Sequence, residues 1–151
     1  MPQSLAQIYL HIVFSTKGRH PWLEDREKRL DLYKYLAGTC QNQECPSLTI
    51  GGVEDHVHIL CRFGRTTSVA DLLKELKRTS SIWVKENIVG CDQFHWQSGY
   101  GAFSISPSHI LPLQHYIENQ EEHHRRESYQ DEFRRLLRKY EIEWDERYVW
   151  D

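Results

Sequence analysis

Two histidines near the middle of the chain, His56 and His58, have the spacing of a metal site. They lie in S-L-T-I-G-G-V-E-D-H-V-H-I-L-C-R, residues 47–62, which predicts two strands meeting at the glycine pair 51–52. Side chains alternate between the faces of a strand, so both imidazoles point to one face and the apolar residues beside them to the other. One face of the predicted sheet is therefore core, and the other carries two potential metal ligands.

Two histidines alone do not hold a catalytic metal, and the chain offers further candidates. Tyr116 and Gln120 are four residues apart in a helical region, 109–124, and so lie on one face of the helix. Tyr116 is a candidate nucleophile and Gln120 a third ligand suited to a hard ion. His123 and His124 are the alternative ligands, with His124 one turn beyond Gln120 on nearly the same face, and three histidines would indicate zinc. A histidine pair satisfied by backbone groups is the non-functional alternative.

The elements that position these residues alternate as β-α-β-β-α-β. This order predicts an α+β, ferredoxin-like or RRM-like fold: a four-stranded antiparallel sheet with two helices on one face, the other face open, and a C-terminal helix carrying the tyrosine. Residues 1–151 form one domain, with a helical and aromatic tail over about 125–151 that docks on it. The predicted strands are 7–16, the two within 47–62, and 94–106; the predicted helices are 24–43, 69–87, 109–124 and 130–140.

The composition is that of a folded globular protein, with 39% hydrophobic and 12% aromatic residues. There is no apolar run of membrane-spanning length and no signal-peptide pattern, so we expect a cytoplasmic protein with no membrane partner. The 4 cysteines show no C-x-x-C spacing, which predicts no disulfide and no zinc ribbon.

Charge is distributed unevenly along the chain, although the net charge is only -3. Residues 1–89 hold 12 Lys and Arg against 10 Asp and Glu, whereas residues 90–151 hold 7 against 12. The basic excess lies in the half that carries the histidine pair. A local positive field of this kind can attract phosphates.

Four sequence blocks in order resemble the single-tyrosine HUH transposases of small bacterial insertion sequences. The blocks are H-I-V-F-S-T-K-G-R-H-P, D-H-V-H-I-L, W-Q-S-G-Y-G-A-F-S-I-S and Y-I-E-N-Q-E-E-H-H. The resemblance covers nearly the whole chain and is to the IS200-like group, which includes the REP-associated tyrosine transposases.

This resemblance implies a metal-dependent DNA strand transferase. His56, His58 and Gln120 would bind one divalent ion, Mg²⁺ or Mn²⁺, and Tyr116 would nick single-stranded DNA at hairpin-flanked element ends through a 5′-phosphotyrosine intermediate. The free 3′ hydroxyl would allow rejoining without ATP.

The resemblance also implies a homodimer, because excision and joining need two cleaved strands held together. The fourth strand is the candidate for pairing between subunits, and in the family the tyrosine helix can serve the partner's histidines. Phosphate contacts would come from basic side chains on loops and on the predicted helix 69–87. His20 and Trp22 would stack on unpaired bases. These basic candidates are Lys17, Arg19, Arg65, Lys74, Lys77 and Arg78.

Two other functions fit parts of the pattern. An open four-stranded sheet face suits a non-catalytic module that binds single-stranded nucleic acid, although no R-G-F-G-F-type strand is present. A zinc hydrolase would use His56, His58 and a third histidine.

Overall fold

The computed structural model describes residues 2–151 and has the predicted order of strands and helices. Within this range the sheet is antiparallel and four-stranded, with spatial order β2-β3-β1-β4, and the fold is the expected α+β, ferredoxin-like one. The elements are β1 (Tyr9–Ser15), α1 (Arg26–Asn42), β2 (Ser47–Val53), β3 (His56–Arg62), α2 (Val69–Asn87), β4 (Gly101–Ile105), α3 (Ile110–Glu118), α4 (Gln120–His123) and α5 (Tyr129–Lys139).

Three of the helices begin at capping residues that the sequence supplies. The Ser68 hydroxyl accepts a hydrogen bond from the Asp71 amide at 3.0 Å, and α2 begins at Val69, the predicted first residue. Asp25 caps α1 and Ser128 caps α5 in the same way. Each cap satisfies one of the backbone amides that the first helical turn leaves without an intrahelical partner.

The main core lies between the sheet and the pair α1 and α2. Val57 and Ile59 of β3 point into it and meet Leu36 of α1 and Leu72 and Leu76 of α2. All five side chains are fully buried. The alternation of β3 therefore places its apolar residues as predicted, and the histidines face the opposite side.

The hairpin between β2 and β3 turns at Glu54 and Asp55, so the prediction that the strands meet at the glycine pair 51–52 is wrong. Both glycines lie inside β2. A Cβ added to Gly51 would stand 2.5 Å from the Ile117 carbonyl oxygen. Gly51 is needed because α3 packs directly on the backbone of β2, not because the chain turns there.

The fourth strand is shorter than the predicted 94–106. Only Gly101–Ile105 pair with β1, and Trp96 forms a single bridge with Thr16. The Lys77 amine donates hydrogen bonds to three successive backbone carbonyls, those of residues 97–99, at 2.6 to 3.0 Å. These bonds hold the segment before Gly101 in a turn beside α2 instead of in the sheet.

The sheet face that carries the histidines is covered, and the prediction of an open face is wrong. Helices α3, α4 and α5 pack on it, and a second apolar cluster joins Val13 and Phe103 of the sheet to Phe133, Leu136 and Leu137 of α5. Apolar residues on both faces of β1 require cover on both sides.

The aromatic tail is docked, as expected, and the structure shows that the residues after α5 lie on that helix. The Trp150 ring lies 6.1 Å from that of Phe133, and its indole N–H donates to Glu146, which also pairs with Arg134 at 2.7 Å. Among residues 2–151, none of the helices is long and apolar enough to cross a bilayer.

Candidate functional site

The histidine pair meets α4 and α5 in the interior between the sheet and the C-terminal helices. His56 Nε2 lies 2.9 Å from Gln120 Oε1, and His58 Nε2 lies 3.0 Å from Glu132 Oε1. The four side chains are at most 1% exposed. Strand alternation and the first turn of α4 thus bring together three residues that the sequence singled out.

Glu132, on the buried side of α5, is the centre of this cluster. Its Oε1 lies 3.0 Å from His58 Nε2, 3.2 Å from His56 Nε2 and 3.0 Å from His124 Nε2. Its Oε2 accepts a hydrogen bond from the Gln120 amide at 2.9 Å. The same oxygen accepts one from the Tyr116 hydroxyl. One carboxylate therefore joins the candidate nucleophile to the candidate metal ligands.

The other ring nitrogen of each histidine in the cluster also has a partner. His56 Nδ1 lies 2.7 Å from Asp55 Oδ1, and His124 Nδ1 lies 2.6 Å from a backbone carbonyl oxygen. His58 Nδ1 lies 2.8 Å from Nε2 of His11, a buried histidine on β1. These contacts fix all three rings with Nε2 directed at Glu132.

Tyr116 lies at the edge of the cluster, between a carboxylate and a guanidinium. Arg135 donates a hydrogen bond to the Tyr116 oxygen at 2.9 Å. Burial raises the pKa of Tyr116, the Glu132 carboxylate raises it further, and Arg135 opposes both. The phenol therefore keeps its proton at neutral pH in this arrangement.

Two opposing effects set the pKa values in the cluster. Burial disfavours the charged form of each group, and pairing with an opposite charge favours it. Burial disfavours protonated His56, but hydrogen bonds to Asp55 and Glu132 outweigh it and raise the pKa to about 9. Burial dominates at His58 and lowers its pKa, even though Glu132 opposes this. Burial would raise the pKa of Glu132, yet the neighbouring imidazoles hold it well below its usual range. The carboxylate is thus ionised beside at least one cationic ring.

A cavity of about 450 Å³ borders Tyr116 on the outer side of the cluster. Arg135 and Lys139 contribute positive charge to its wall, and His11 lies at its inner end. Neither His56 nor His58 is among its lining residues. Solvent and ligands can therefore approach the phenol from the cavity, while the histidine pair remains enclosed.

The residues predicted to contact DNA lie outside this cluster. Lys17, His20, Arg65 and Lys74 are exposed. The other three have contacts within the chain: Arg19 with the Trp150 carbonyl, Lys77 with the carbonyls of residues 97–99, and Arg78 with Glu75 at 2.8 Å.

Sequence reasoning missed Glu132, Arg135 and His11. The signal for Glu132 was its position in α5, three residues after Tyr129 and four before Leu136, on the buried stripe of an amphipathic helix. A carboxylate on such a stripe is rarely unpaired. His11 lies in an otherwise apolar strand, which was a similar signal.

Comparison with known proteins identifies the family. The model of the family described as "Transposase IS200 like" matches residues 4–120, most of the chain. The chain belongs to the IS200-like transposase family. The matched segment contains His56, His58 and Tyr116 and ends at Gln120, so α5 lies beyond it.

Two solved structures share the fold of this IS200-like transposase. A presumed transposase from Deinococcus radiodurans R1 is 23% identical, with a TM-score of 0.62, over 80% of this chain and 95% of that one. A REP-associated tyrosine transposase bound to a REP hairpin is 11% identical, with a TM-score of 0.60, over 82% of this chain and 73% of that one. No curated protein matches the chain.

Proposed function

We propose that this transposase nicks and rejoins single-stranded DNA at hairpin-flanked element ends, with Tyr116 as the nucleophile. The observation that carries this proposal is the shared carboxylate of Glu132. It accepts the Tyr116 hydrogen bond on one oxygen and contacts His56 and His58 through the other. A tyrosine of the same chain is therefore within reach of the histidine pair, which supports attack in cis.

The chemistry needs one bond formed and one broken at a backbone phosphate. The Tyr116 oxygen attacks phosphorus, the bond to the 3′ oxygen breaks, and the phenolic proton is formally transferred to that leaving oxygen. The product is a 5′-phosphotyrosine with a free 3′ hydroxyl, and attack by a 3′ hydroxyl reverses the step. Arg135 favours the phenolate because it donates to the phenol oxygen.

His56, His58 and Gln120 fit a divalent ion, which we propose to be Mg²⁺ or Mn²⁺. Two imidazole nitrogens and an amide oxygen converge, with Gln120 Oε1 2.9 Å from His56 Nε2. When bound, such an ion neutralises phosphate charge and orients the phosphate oxygens for in-line attack. The side chains of this chain fix the ligand atoms before DNA arrives.

Access to the enclosed ligands requires a change in the C-terminal helices. The cavity beside Tyr116 admits a phosphate to the phenol, with Arg135 and Lys139 as its cations. His56 and His58 are fully buried, and Glu132 of α5 contacts both of them. We infer that α5 shifts when a phosphate contacts both the phenol and the ligand atoms.

A hairpin substrate is supported by the structural neighbour that is bound to a REP hairpin. We propose that the predicted basic residues contact the backbone of such DNA, with strong salt dependence. Lys17, His20, Arg65 and Lys74 are the first to test because their side chains are exposed.

We further propose a homodimer, since two strands must be held for joining. β4 lies at the edge of the sheet, and its free edge can pair with that of a second copy. Light scattering of the protein with and without hairpin DNA should give twice the monomer mass. A monomer in both measurements would contradict the dimer and leave the cleavage proposal intact.

The decisive test uses purified protein, single-stranded DNA from the flanks of its own gene, and Mg²⁺ or Mn²⁺. A covalent protein–DNA adduct should form and resist denaturing electrophoresis. Tyr116→Phe should reduce it by at least about 10³-fold, because the nucleophilic oxygen is missing. Tyr35→Phe, an exposed tyrosine on α1, is the matched control and should leave it unchanged.

Other outcomes identify the alternatives. DNA binding without an adduct would indicate a non-catalytic nucleic-acid-binding module. Zinc-dependent hydrolysis untouched by Tyr116→Phe would indicate a hydrolase, for which His124 beside His56 and His58 offers a third imidazole. An adduct that survives Tyr116→Phe would assign the nucleophile to another residue.

A further inference from the structure

Two further potential metal ligands lie beside the histidine pair. Both follow the segment that the family model matches. His124 follows α4, and Glu132 lies on α5. With His56 and His58 they offer one ligand atom each, all within 4.8 Å of one another. The sequence prediction placed Gln120 beside the pair, with His124 as an alternative to it, and did not include Glu132.

The hydrogen bonds of the three rings indicate which atoms are available. Asp55 Oδ1 and the Glu127 carbonyl accept only, so Nδ1 of His56 and of His124 carries a proton. In a neutral His124 ring, Nε2 then carries a lone pair and no proton. His124 Nε2 is buried and has no hydrogen-bond partner, although it lies 3.0 Å from Glu132 Oε1. An orphaned acceptor beside a carboxylate is unfavourable unless a cation lies between them.

The distances from Glu132 to the three rings fit a shared ion. Imidazole nitrogens and carboxylate oxygens bind first-row metals at about 2.0–2.2 Å, so neighbouring ligands of one ion are about 3.0–3.4 Å apart. Glu132 Oε1 lies 3.0 to 3.2 Å from each of the three Nε2 atoms. The partners on Nδ1 are the contacts that usually orient a ligating histidine.

We propose that Glu132 and His124 are ligands of the divalent ion, together with His56 and His58. Gln120 adds its amide oxygen, and Glu132 Oε2 holds the Tyr116 hydroxyl, so the residue that binds the ion also positions the nucleophile. The inference rests on the metal site of the proposed function but not on strand transfer.

Three imidazoles and a carboxylate also select the class of ion. Imidazole nitrogen suits transition metals, whereas Mg²⁺ takes oxygen ligands in a near-ideal octahedron. The site therefore takes a transition-metal ion such as Mn²⁺ or Zn²⁺ in preference to Mg²⁺, and Mn²⁺ is a suitable probe of it. A ligand set of two histidines and Gln120 alone would favour a transition metal over Mg²⁺ less strongly.

Calorimetric titration of the DNA-free protein with Mn²⁺ tests the ligands one at a time. Glu132→Gln and His124→Gln should each raise the dissociation constant at least about tenfold, the effect expected of a metal ligand. The controls are Asp131→Asn, the exposed neighbour of Glu132 in α5, and His115→Gln, an exposed histidine in α3. Both should bind Mn²⁺ as the unchanged protein does. An unchanged constant in Glu132→Gln or His124→Gln would overturn the assignment of that residue.

Pulsed electron paramagnetic resonance of Mn²⁺ bound to the unchanged protein avoids the risk that a variant misfolds. Couplings from three imidazole nitrogens are expected, and couplings from two would overturn the role of His124. Absence of Mn²⁺ binding, or binding no tighter than that of Mg²⁺, would overturn the proposal as a whole. The titrations and the resonance measurement contain no DNA, so a failure of strand transfer and a failure of the ligand set give different results.

Discussion

The two faces of strand β3 are equally buried but differ in what buries them. Val57 and Ile59 are fully enclosed by apolar side chains from α1 and α2. His56 and His58, on the other face, are enclosed just as completely by charged and polar groups from the C-terminal helices. The same alternation of one strand therefore supplies both a hydrophobic core and a reactive cluster.

This difference shows where the fold tolerates change and where it does not. The apolar face is stabilised by area removed from water, which many residue combinations can provide. Each buried polar group on the other face depends on a named partner, because an unpaired one loses its solvation without compensation. Stability is thus distributed across the first face and concentrated in a few contacts on the second.

Substitutions at two glycines, one beside each face, should show this difference in tolerance most strongly. Gly51 lies on β2 under α3, where an added Cβ would stand 2.5 Å from the Ile117 carbonyl oxygen and force the tyrosine helix away. We expect Gly51→Ala to lower the free energy of unfolding by about 1–3 kcal/mol, the usual cost of overpacking. Because Ile117 is adjacent to Tyr116, adduct formation should also fall more than tenfold.

Gly38 is the matched control, since it is exposed on α1 and has nothing within 4 Å of an added Cβ. Gly38→Ala should raise stability by about 0.5–1 kcal/mol, because alanine is the better helix former. Its adduct yield should not change. Urea unfolding and the adduct assay measure both quantities. Equal effects of the two substitutions on stability and adduct yield would show that the faces do not differ in their tolerance of an added methyl group.

The faces also differ in how far the sequence predicts them. The α1–α2 face follows from local patterns. The predicted helix 69–87 has the bounds of α2, and strand alternation assigned the side chains of β3 to the correct faces. The same patterns placed Tyr116 and Gln120 in one helical region, 109–124, which the structure divides at Asn119 into α3 with Tyr116 and α4 with Gln120. They could not show that α5 covers the second face, because which helix packs on a sheet depends on distant contacts. Glu132 was missed for that reason.

The hairpin shows a second limit of sequence reasoning. A glycine pair between two apolar runs is typical of a tight turn. Here the requirement at Gly51 is close approach by Ile117, more than 60 residues away along the chain. Local chemistry cannot distinguish a glycine that turns the chain from one that admits a neighbour.

A subtler test of the polar face concerns the charge beside Tyr116. Arg135 donates to the phenol oxygen and lowers its pKa, against burial and Glu132, which raise it. At pH values below this pKa, the phenolate fraction and the rate grow about tenfold for each pH unit. Arg135→Gln raises the pKa further, so the single-turnover rate at saturating DNA should fall about tenfold at fixed pH, one pKa unit being a factor of ten.

Arg134→Gln is the matched control, because Arg134 neighbours Arg135 but pairs with Glu146 and Asp131 instead of Tyr116. It should leave the rate and the pH profile unchanged. If Arg135→Gln weakens DNA binding but not the rate at saturation, the guanidinium contacts phosphate from the cavity and does not tune the phenol. If the rate falls at saturation and recovers as the pH is raised, the charge beside the phenol controls its ionisation. The second result is the expected one, because the hydrogen bond reaches the oxygen that attacks.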